Sequence, residues 1–470
     1  MGRAATPSKG MATLLTAERV AALADIVDRY DGRAPRYTSY PTALQFSPDV
    51  DETRYRDWLA ALPLDEPVSL YAHIPFCAKL CWYCGCNTRA VNRHAPIAEY
   101  VEVLLAELEL LAQALPGRLP ASAVHLGGGS PNMLSPSEMI RLFHRLDQVF
   151  APTPGREVAA ELDPSSLTRA WIDAAASIGL TRASLGVQNL DPSVQAAVNR
   201  TGSFEEVARA VTWLREAGVG SINLDLMYGL PHQTTSNTLA TLDAVLWLRP
   251  ERVALFGYAH VPWMKAHQKL IDEGALPWPT ARLEQAEAAA ERLIAEGYVR
   301  IGLDHFARGD DEMAQALGEG RLHRNFQGYT TDTAGTLLGL GASAIGRLPK
   351  GYVQNLAQEV PWRAAVAEGR LPVARGVVLT DEDGFRGQII ERLMCDLEVD
   401  LSEVCARHRR RLADLDPSLL RLKPFIDDGL AQFDGRRLRI TDAGRVVVRS
   451  VAALFDAHLQ PEAMRHAKAL

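Results

Sequence analysis

Cysteine is scarce in this sequence, and most of it falls in one short stretch. The 470 residues include six cysteines, and four of them lie between Cys77 and Cys86. A disulfide framework would spread its cysteines so as to close loops, so this distribution argues against one. The other two, Cys395 and Cys405, fall in helix-like segments far away and are interpreted as buried small apolar side chains.

The sequence also lacks long apolar runs, and its basic residues do not outnumber the acidic ones. Acidic residues number 57 against 50 lysines and arginines, a net charge of −7, which argues against a nucleic-acid partner. The run RHRRR (Arg407–Arg411) is therefore interpreted as a solvated helix face. No apolar run reaches the roughly 20 residues that a membrane-spanning helix needs. The N-terminus, whether it begins at Met1 or Met11, lacks the apolar core of a secretory signal. We expect neither a membrane span nor secretion.

Six short β-branched runs alternate with long amphipathic segments in the first part of the chain. In the clearest amphipathic segment, residues 97–115, apolar residues such as Ile97, Val101 and Leu104 recur at steps of three and four, as on one face of a helix. Such alternation predicts an α/β fold with a parallel sheet or barrel, whose ligand site lies at the carboxyl ends of the strands. The six predicted strands are VSLYAHIP, SAVHLGGG, REVAAELDP, RASLGVQ, SINLDLMYG and RVALFGYAH.

The last part of the chain predicts a separate helical unit. Thr380 can cap a helix with Asp383 three residues on, and LAQFDGRRLRIT has Asp434-Gly435 at the turn of a hairpin. This layout resembles a winged helix. Because acidic residues outnumber basic ones, we interpret it as a structural cap on the barrel and not as a DNA-binding module. The predicted parts are an N-terminal helix and substrate-capping arm (residues 1–50), a β/α barrel (51–310), a site-lining connecting region (311–375) and a helical, winged-helix-like domain (376–470).

The clustered cysteines lie in YAHIPFCAKLCWYCGCN (Tyr71–Asn87), directly after the first predicted strand. Cys77, Cys81 and Cys84 have the spacing C-x3-C-x2-C. A structural zinc site needs four ligands, usually as two separated pairs, and no second pair follows. An iron–sulfur cluster suits a single loop better, and three thiolates would leave one iron open to a chelating substrate. Cys86, two residues after Cys84, is interpreted as a nearby thiol that is not a ligand.

Tyr71 and His73 are two residues apart in the first predicted strand, so their side chains point to the same face. A lone strand histidine is usually a core residue, whereas a Tyr–His pair beside the cysteine loop favours a functional role. His73 would carry a proton or position a substrate, and both roles stay open. With Cys86, these two residues are the candidate catalytic residues.

The cysteine spacing and the six-strand layout resemble the radical S-adenosylmethionine (SAM) superfamily, whose fold is a partial (β/α)6 barrel. The longer string is similar to the Y-x-H-x3-C-x3-C-x2-C-x-C signature of the oxygen-independent coproporphyrinogen III oxidase family. The resemblance implies one [4Fe–4S] cluster held by Cys77, Cys81 and Cys84, and two molecules of SAM. Supporting strings along the chain are PRYTSYPTALQF, GGGSPN, ELDP, GVQN, VNR, DLMYGLP, YAHVP, DHFA, LHRNFQGYTT and GASAIG.

The resemblance also implies which residues contact SAM. Glycines after a strand let the backbone approach a ligand closely, strand-end carboxylates can accept ribose hydroxyls, and an aromatic ring beside Cys84 can pack on adenine. GLGASAIG lacks the βαβ context of a dinucleotide site and is interpreted as a site-lining loop. By resemblance, the first SAM contacts Tyr71, Gly128, Glu161 and Ile345, and the second contacts Tyr83, Gly129, Ser130, Gln188, Arg200, Asp225 and Ala259.

The implied reaction converts two propionates of coproporphyrinogen III to vinyl groups, giving protoporphyrinogen IX in haem biosynthesis. The resemblance implies a flavodoxin-like electron donor and a cytoplasmic enzyme, which we expect to be a monomer. Propionates call for cationic or hydroxyl partners, and the candidates are Arg36, Lys79 and Arg324, with Gln327 lining the pocket.

Three alternatives remain from the sequence. They are a haem-binding chaperone-like radical SAM paralogue, a haem-degrading radical SAM methyltransferase and a structural zinc protein. Cys86, Arg200, Asp225 and the RYTSYP arm favour the decarboxylating enzyme over the chaperone, because such paralogues generally lack these features.

Overall fold

The computed structural model describes residues 17–30 and 34–459. Met1, Met11 and residues 460–470 of the predicted C-terminal domain lie outside the described residues. The strands, in chain order, are β1 (Val68–Ile74), β2 (Phe76–Cys77), β3 (Arg89–Ala90), β4 (Pro120–Gly128), β5 (Ala151–Leu162), β6 (Arg182–Gln188), β7 (Ser221–Tyr228), β8 (Arg252–Gly257), β9 (Tyr298–Ile301), β10 (His305–Arg308), β11 (His323–Asn325), β12 (Gly328–Thr330), β13 (Thr336–Leu340), β14 (Ile345–Leu348), β15 (Gly351–Asn355), β16 (Val373–Val378), β17 (Glu398–Asp400), β18 (Ala431–Phe433) and β19 (Arg437–Ile440).

Several helices begin at a capping box. In it, the side chain of the residue before the helix accepts from the backbone N–H three positions on, and the side chain of that later residue accepts from the N–H of the first. Ser135, Ser203 and Thr234 do this in the first half of the chain, and Thr380 does so with Asp383 as predicted. The α-helices are α1 (Ala17–Tyr30), α2 (Glu52–Ala60), α3 (Ala95–Ala114), α4 (Pro136–Val149), α5 (Arg169–Ser177), α6 (Pro192–Ala197), α7 (Phe204–Glu216), α8 (Thr235–Trp247), α9 (Pro279–Ala295), α10 (Glu312–Gly318), α11 (Glu359–Ala367), α12 (Asp381–Asp396), α13 (Leu401–Arg407), α14 (Asp416–Asp427) and α15 (Val448–Ala453).

The six predicted strands are confirmed as β1 and β4 to β8, which lie side by side and run parallel. Because they are parallel, their carboxyl ends meet at one edge of the sheet. β1 is buried on both faces except at Tyr71, as is typical of a parallel strand covered by helices. Within residues 17–30 and 34–459, no helix combines the length and the apolar character needed to cross a bilayer.

The sheet extends further than predicted on the side of β1. β13 pairs parallel with β1, and β14, β15 and β16 follow it antiparallel in the same sheet. The segment 311–375, predicted as a connecting region, therefore supplies strands to the main sheet, and the boundary at residue 310 does not coincide with the sheet edge. These strands are short, and β13 is buried at every position, so it shows no alternation of exposed and buried residues.

Helix α3 buries its predicted apolar stripe and, unexpectedly, one acid. Glu107 is 2% exposed and accepts hydrogen bonds from the Gly341 N–H at 2.8 Å, Asn355 Nδ2 at 2.6 Å and Trp362 Nε1 at 3.0 Å. Burial raises the pKa of Glu107 to about 7. The carboxyl joins α3 to the extended side of the sheet, and its three donors satisfy a group that would otherwise be costly to bury.

The two ends of the chain share a second apolar core. Leu23 and Ile26 of α1 are in the same buried cluster as the helices that follow residue 380. In the arm that follows α1, Tyr37 donates to Asp456 at 3.0 Å, and Tyr40 accepts from the Ala457 N–H at 2.9 Å. The predicted hairpin is confirmed as β18 and β19, which form a small sheet with β17.

Candidate functional site

A cavity of about 180 Å³ opens where the cysteine loop meets the carboxyl ends of β4 to β7. We call it the cysteine cavity. It brings together most of the residues predicted from the sequence, although they are spread over more than a hundred positions. The predicted residues that line it are Cys77, Cys81, Tyr83, Cys84, Cys86, Gly128, Gly129, Ser130, Glu161, Gln188, Arg200 and Asp225.

The thiols in the loop are surrounded by polar groups. Cys77 Sγ lies 3.3 Å from Thr88 Oγ1 and accepts from Ser130 Oγ at 3.6 Å. The Cys86 N–H donates to Cys84 Sγ at 3.4 Å. Hydrogen bonds from the thiol and the N–H of Cys86 lower the pKa of Cys84, which favours the thiolate that metals bind. Cys86 therefore contacts a predicted ligand, as expected for a thiol beside the site.

The backbone of the cysteine loop is held from outside the loop. Lys265 Nζ donates to the Cys86 carbonyl at 3.0 Å, and His267 Nε2 donates to the Cys84 carbonyl at 2.7 Å. Gln268 Nε2 donates to the Tyr83 carbonyl at 3.1 Å. The loop is thus positioned by the segment that follows β8, and sequence reasoning missed this support because these side chains carry no motif.

The glycines after β4 are required by close approach. Gly128 has φ 107°, and a Cβ there would lie 2.5 Å from His73 Nδ1. A Cβ on Gly129 would lie 2.6 Å from the carbonyl oxygen of Phe76. A side chain at either position would displace the floor of the cavity. These contacts are within the protein, and the predicted approach of the glycine backbone to SAM stays a prediction.

Tyr71 and His73 point to the same face of β1, as predicted, and bond to each other. His73 Nε2 donates to the Asn87 carbonyl at 2.8 Å, and Tyr71 donates its hydroxyl to His73 Nδ1 at 3.0 Å. Burial lowers the pKa of His73, so the ring is neutral. Both ring nitrogens are occupied, which favours a positioning role over proton transfer.

Glu161, at the end of β5, is oriented by two donors. Gly128 N–H donates to its Oε2 at 3.1 Å, and His125 Nε2 lies 3.2 Å from its Oε1. Although burial opposes ionisation, the hydrogen bonds from His125 and Gly128 lower the pKa of Glu161. The result is a fixed, charged acceptor beside the glycines. His125 was missed, although it stands two residues before Gly127 on the same strand.

Asp225, on β7, is the less acidic of the two carboxylates. Ser184 Oγ donates to it at 2.9 Å and Asn223 Nδ2 at 2.7 Å. Burial, with a smaller contribution from Glu161, raises the pKa of Asp225 to about 6. Ser184 and Asn223 were also missed. Asn223 is two residues from Asp225 on the strand, so the period of a strand could have identified it.

Arg200 spans the cavity wall. Its Nη1 donates to Cys81 Sγ at 3.4 Å, its Nη2 is 3.3 Å from Asp163 Oδ1, and it also donates to the Gly186 carbonyl. It therefore places a cation against a predicted ligand thiol. Asp163 also lines the cavity and was not predicted as a site residue.

The remaining predicted residues lie elsewhere. Tyr71 and His73 form a layer behind the glycines and do not line the cavity wall. Ala259 lines a neighbouring cavity. Ile345 begins β14, on the other side of β1, and lines neither cavity.

That neighbouring cavity has a volume of about 350 Å³ and lies where β7 and β8 end. We call it the arginine cavity. Arg36 and Arg324, two of the three predicted propionate partners, line it, whereas Lys79 lines the cysteine cavity and Gln327 lines neither. The charged residues of the arginine cavity are Arg36, Arg282, Glu287, Arg300, Asp304, Arg324, Arg445 and Arg449.

The cysteine cavity suits an iron–sulfur cluster with a bound nucleoside. It offers thiols on one loop, a glycine floor and two strand-end carboxylates. Each thiolate of such a cluster binds its own iron, so the thiols need not converge. Among the residues that the structure describes, no group of three or more His, Cys, Asp or Glu side chains is arranged around a single metal ion.

The chain matches two family models, one described as the Radical SAM superfamily over residues 71–245 and one as the HemN C-terminal domain over residues 379–447. It is 49% identical over 448 residues to the oxygen-independent coproporphyrinogen III oxidase of Bradyrhizobium diazoefficiens, an alignment that covers 95% of this chain and 100% of that one. It is 37% identical to the corresponding Escherichia coli K12 protein, over 93% of this chain and 96% of that one.

A solved structure agrees with these relatives. The coproporphyrinogen III oxidase (HemN) from Escherichia coli, described as a radical SAM enzyme, matches with a TM-score of 0.87 at 37% identity, covering 90% of this chain and 97% of that chain. The match includes the parallel sheet and the helical C-terminal domain. By sequence and by fold, this chain belongs to the oxygen-independent coproporphyrinogen III oxidase family of the radical SAM superfamily.

Proposed function

We propose that the protein catalyses the oxygen-independent oxidative decarboxylation of coproporphyrinogen III. Two propionate side chains become vinyl groups, which gives protoporphyrinogen IX. Each conversion removes one hydrogen atom from a propionate, passes one electron from the resulting substrate radical to a separate one-electron acceptor, and releases CO2. A [4Fe–4S] cluster and SAM, when bound, supply the 5′-deoxyadenosyl radical that takes the hydrogen atom.

One observation supports the proposal above the others. Three thiols with radical SAM spacing, a glycine floor and two carboxylates line one cavity at the carboxyl ends of the parallel strands. We propose that Cys77, Cys81 and Cys84 hold the cluster. This set provides what the chemistry requires: thiolate ligands, backbone that a ligand can approach, and acceptors for hydroxyls.

The residues around the cavity have distinct roles in this proposal. Glu161 and Asp225 accept hydrogen bonds from ribose hydroxyls, because both line the cavity and each is fixed by a donor, the Gly128 N–H and the Ser184 hydroxyl respectively. His73 ties β1 to the Asn87 carbonyl just after the cysteine loop and so fixes the loop.

We also propose that two SAM molecules bind. The residues that the family resemblance gives to a second molecule mostly line the cysteine cavity, whereas Ala259 lines the arginine cavity. Gln268 Nε2 donates to the Tyr83 carbonyl at 3.1 Å and to the Ala259 carbonyl at 3.3 Å, so one side chain joins the two walls. Equilibrium dialysis against labelled SAM measures the stoichiometry, and one SAM per chain would contradict this part.

The proposal includes a one-electron donor of the flavodoxin type that reduces the cluster, in the cytoplasm, with the protein acting as a monomer. Lys79 is exposed within the cysteine loop, where it can meet an acidic partner. Ala78 and Lys79 of the loop are both exposed, which favours electron entry there.

The test is anaerobic conversion of coproporphyrinogen III with SAM and a reductant, followed by chromatography of the oxidised products. We expect Cys81→Ser to lose iron, SAM cleavage and product. The matched control is Cys405→Ser, a thiol far from the cavity with 3% exposure, which should keep all three. An iron-replete wild type that makes no product, yet retains haem through gel filtration, would contradict the enzyme and favour the chaperone.

A further inference from the structure

Arginines outnumber carboxylates in the lining of the arginine cavity. Six arginines line it, against the two carboxylates of Glu287 and Asp304. Arg300 pairs with Glu287 at 2.9 Å. His305 Nδ1 lies 2.8 Å from Asp304, and this hydrogen bond, together with the nearby Arg324, lowers the pKa of Asp304 to about 2 against the effect of burial. Asp304 is thus charged, and both acids already have partners.

Several guanidinium donors in the cavity have no hydrogen-bond partner among residues 17–30 and 34–459. They are Nε and Nη1 of Arg324, Nε of Arg282 and Nε of Arg300, all buried. Arg324 is 9% exposed, and its guanidinium lies 4.4 Å from the centre of the Tyr329 ring. Buried donors on a charged group are costly to leave unpaired. The arrangement therefore calls for an anionic ligand.

The C-terminal arginines add to the positive charge of the cavity. Burial and the nearby Arg300 lower the pKa of Arg445 to about 10. Burial and the nearby Arg36 likewise lower the pKa of Arg449 to about 10. A carboxylate placed among these side chains would relieve their repulsion and form charge-assisted hydrogen bonds.

We propose that the arginine cavity binds the propionate carboxylates of the tetrapyrrole and so places one propionate towards the cysteine cavity. This inference rests on the proposed function. The cavity also has apolar walls, including Leu255 and Phe306, which suit a pyrrole ring better than a free phosphate.

The arginines come from three parts of the chain, so a ligand bound among them would connect these parts. Arg36 belongs to the N-terminal arm and donates to the Gly257 carbonyl at the end of β8 at 3.2 Å. Arg445, from the C-terminal part, donates to the Gly302 carbonyl at 2.7 Å. A polycarboxylate bound here connects the arm, the sheet and the C-terminal domain, and closes the site around the substrate.

The test uses coproporphyrin III, the stable oxidised form that bears the same propionates, titrated against the cluster-loaded protein by fluorescence. We expect Arg324→Met and Arg36→Met each to raise Kd by about tenfold or more, since each removes a charge-assisted partner. The matched control is Arg411→Met, whose side chain is 84% exposed and which should bind like wild type. Wild type should bind mesoporphyrin IX, with two propionates, more weakly.

Thermal unfolding and iron content establish that each variant is folded. Arg36 is exposed in the arm, so its variant remains informative if Arg324→Met fails to fold. An unchanged Kd in folded Arg36→Met and Arg324→Met would overturn the assignment of the cavity, even where wild type forms product. Tight, arginine-dependent binding by a wild type that forms no product would support the cavity and overturn the proposed reaction.

Discussion

Gly128→Ala is the substitution whose effect the structure defines best. Gly128 has φ 107°, a backbone region that residues with a Cβ rarely adopt, at a cost of about 1–3 kcal/mol. The added Cβ would lie 2.5 Å from His73 Nδ1 and 2.9 Å from Nε2, and overpacking of this kind costs about 1–3 kcal/mol more. We expect a total loss of about 2–6 kcal/mol.

The position of His73 makes the contact hard to relieve. Its ring bonds to the Asn87 carbonyl through Nε2 and to the Tyr71 hydroxyl through Nδ1. If the ring moves aside, both bonds break and the residue just after the cysteine loop is released. We therefore expect Gly128→Ala also to lower the iron content after anaerobic reconstitution.

The matched control is Gly155→Ala. Gly155 also has positive φ, 76°, but a Cβ there would meet nothing within 4 Å. Urea unfolding of both variants separates the backbone term from the contact with His73. In a His73→Ala background the clash is absent, so Gly128→Ala should cost less stability there than it does in wild type. The reasoning is refuted if Gly128→Ala unfolds at the same urea concentration as Gly155→Ala and loads iron fully.

Two further predictions concern buried acids. Asp225 has a pKa of about 6 and is the proposed acceptor of hydrogen bonds from ribose hydroxyls. Because protonation removes this acceptor, the affinity for SAM should fall as the pH drops through 6. Equilibrium dialysis should show this dependence lost in Asp225→Asn, and a variant that retains it would contradict the role. The pKa of Glu107 is raised to about 7, so the folded state holds this proton more tightly than the unfolded state between about pH 4.5 and 7. The unfolding free energy of wild type relative to Glu107→Gln should therefore fall by about 3 kcal/mol from below pH 4.5 to above pH 7, and parallel pH profiles in urea unfolding would contradict this.

Local signals in the sequence were enough to predict the core of the site. Strand runs that carry glycine, acid or amide at or near their carboxyl ends place those residues towards one sheet edge, so Gly128, Glu161 and Asp225 could be grouped without coordinates. The cysteine spacing lies within a single loop and is also local. The positions of these residues follow from strand order alone.

The remaining features of the fold and the site could not be predicted, because they depend on packing between distant segments. Arg282, Arg300 and Arg445 meet only because the C-terminal helices close over the end of the sheet, and no spacing in the sequence indicates this. β13 is uniformly buried, so it shows no alternation of polar and apolar residues. Glu107 resembles an ordinary helix-surface acid until Trp362, more than two hundred residues later, donates to it.

The shared core of the chain ends has a consequence for how the enzyme is assembled in the cell. Domains generally fold as units while the chain is synthesised from its N-terminus, so the strands that carry the cysteine loop are complete before the last helices leave the ribosome. Until then, Tyr37 and Tyr40 have no Asp456 or Ala457 to bond, and the arm cannot dock. The arginine cavity, which takes Arg36 from the arm and Arg445 from the C-terminal part, is therefore completed only after the last helices are made, whereas the strands that carry the cysteine loop form earlier.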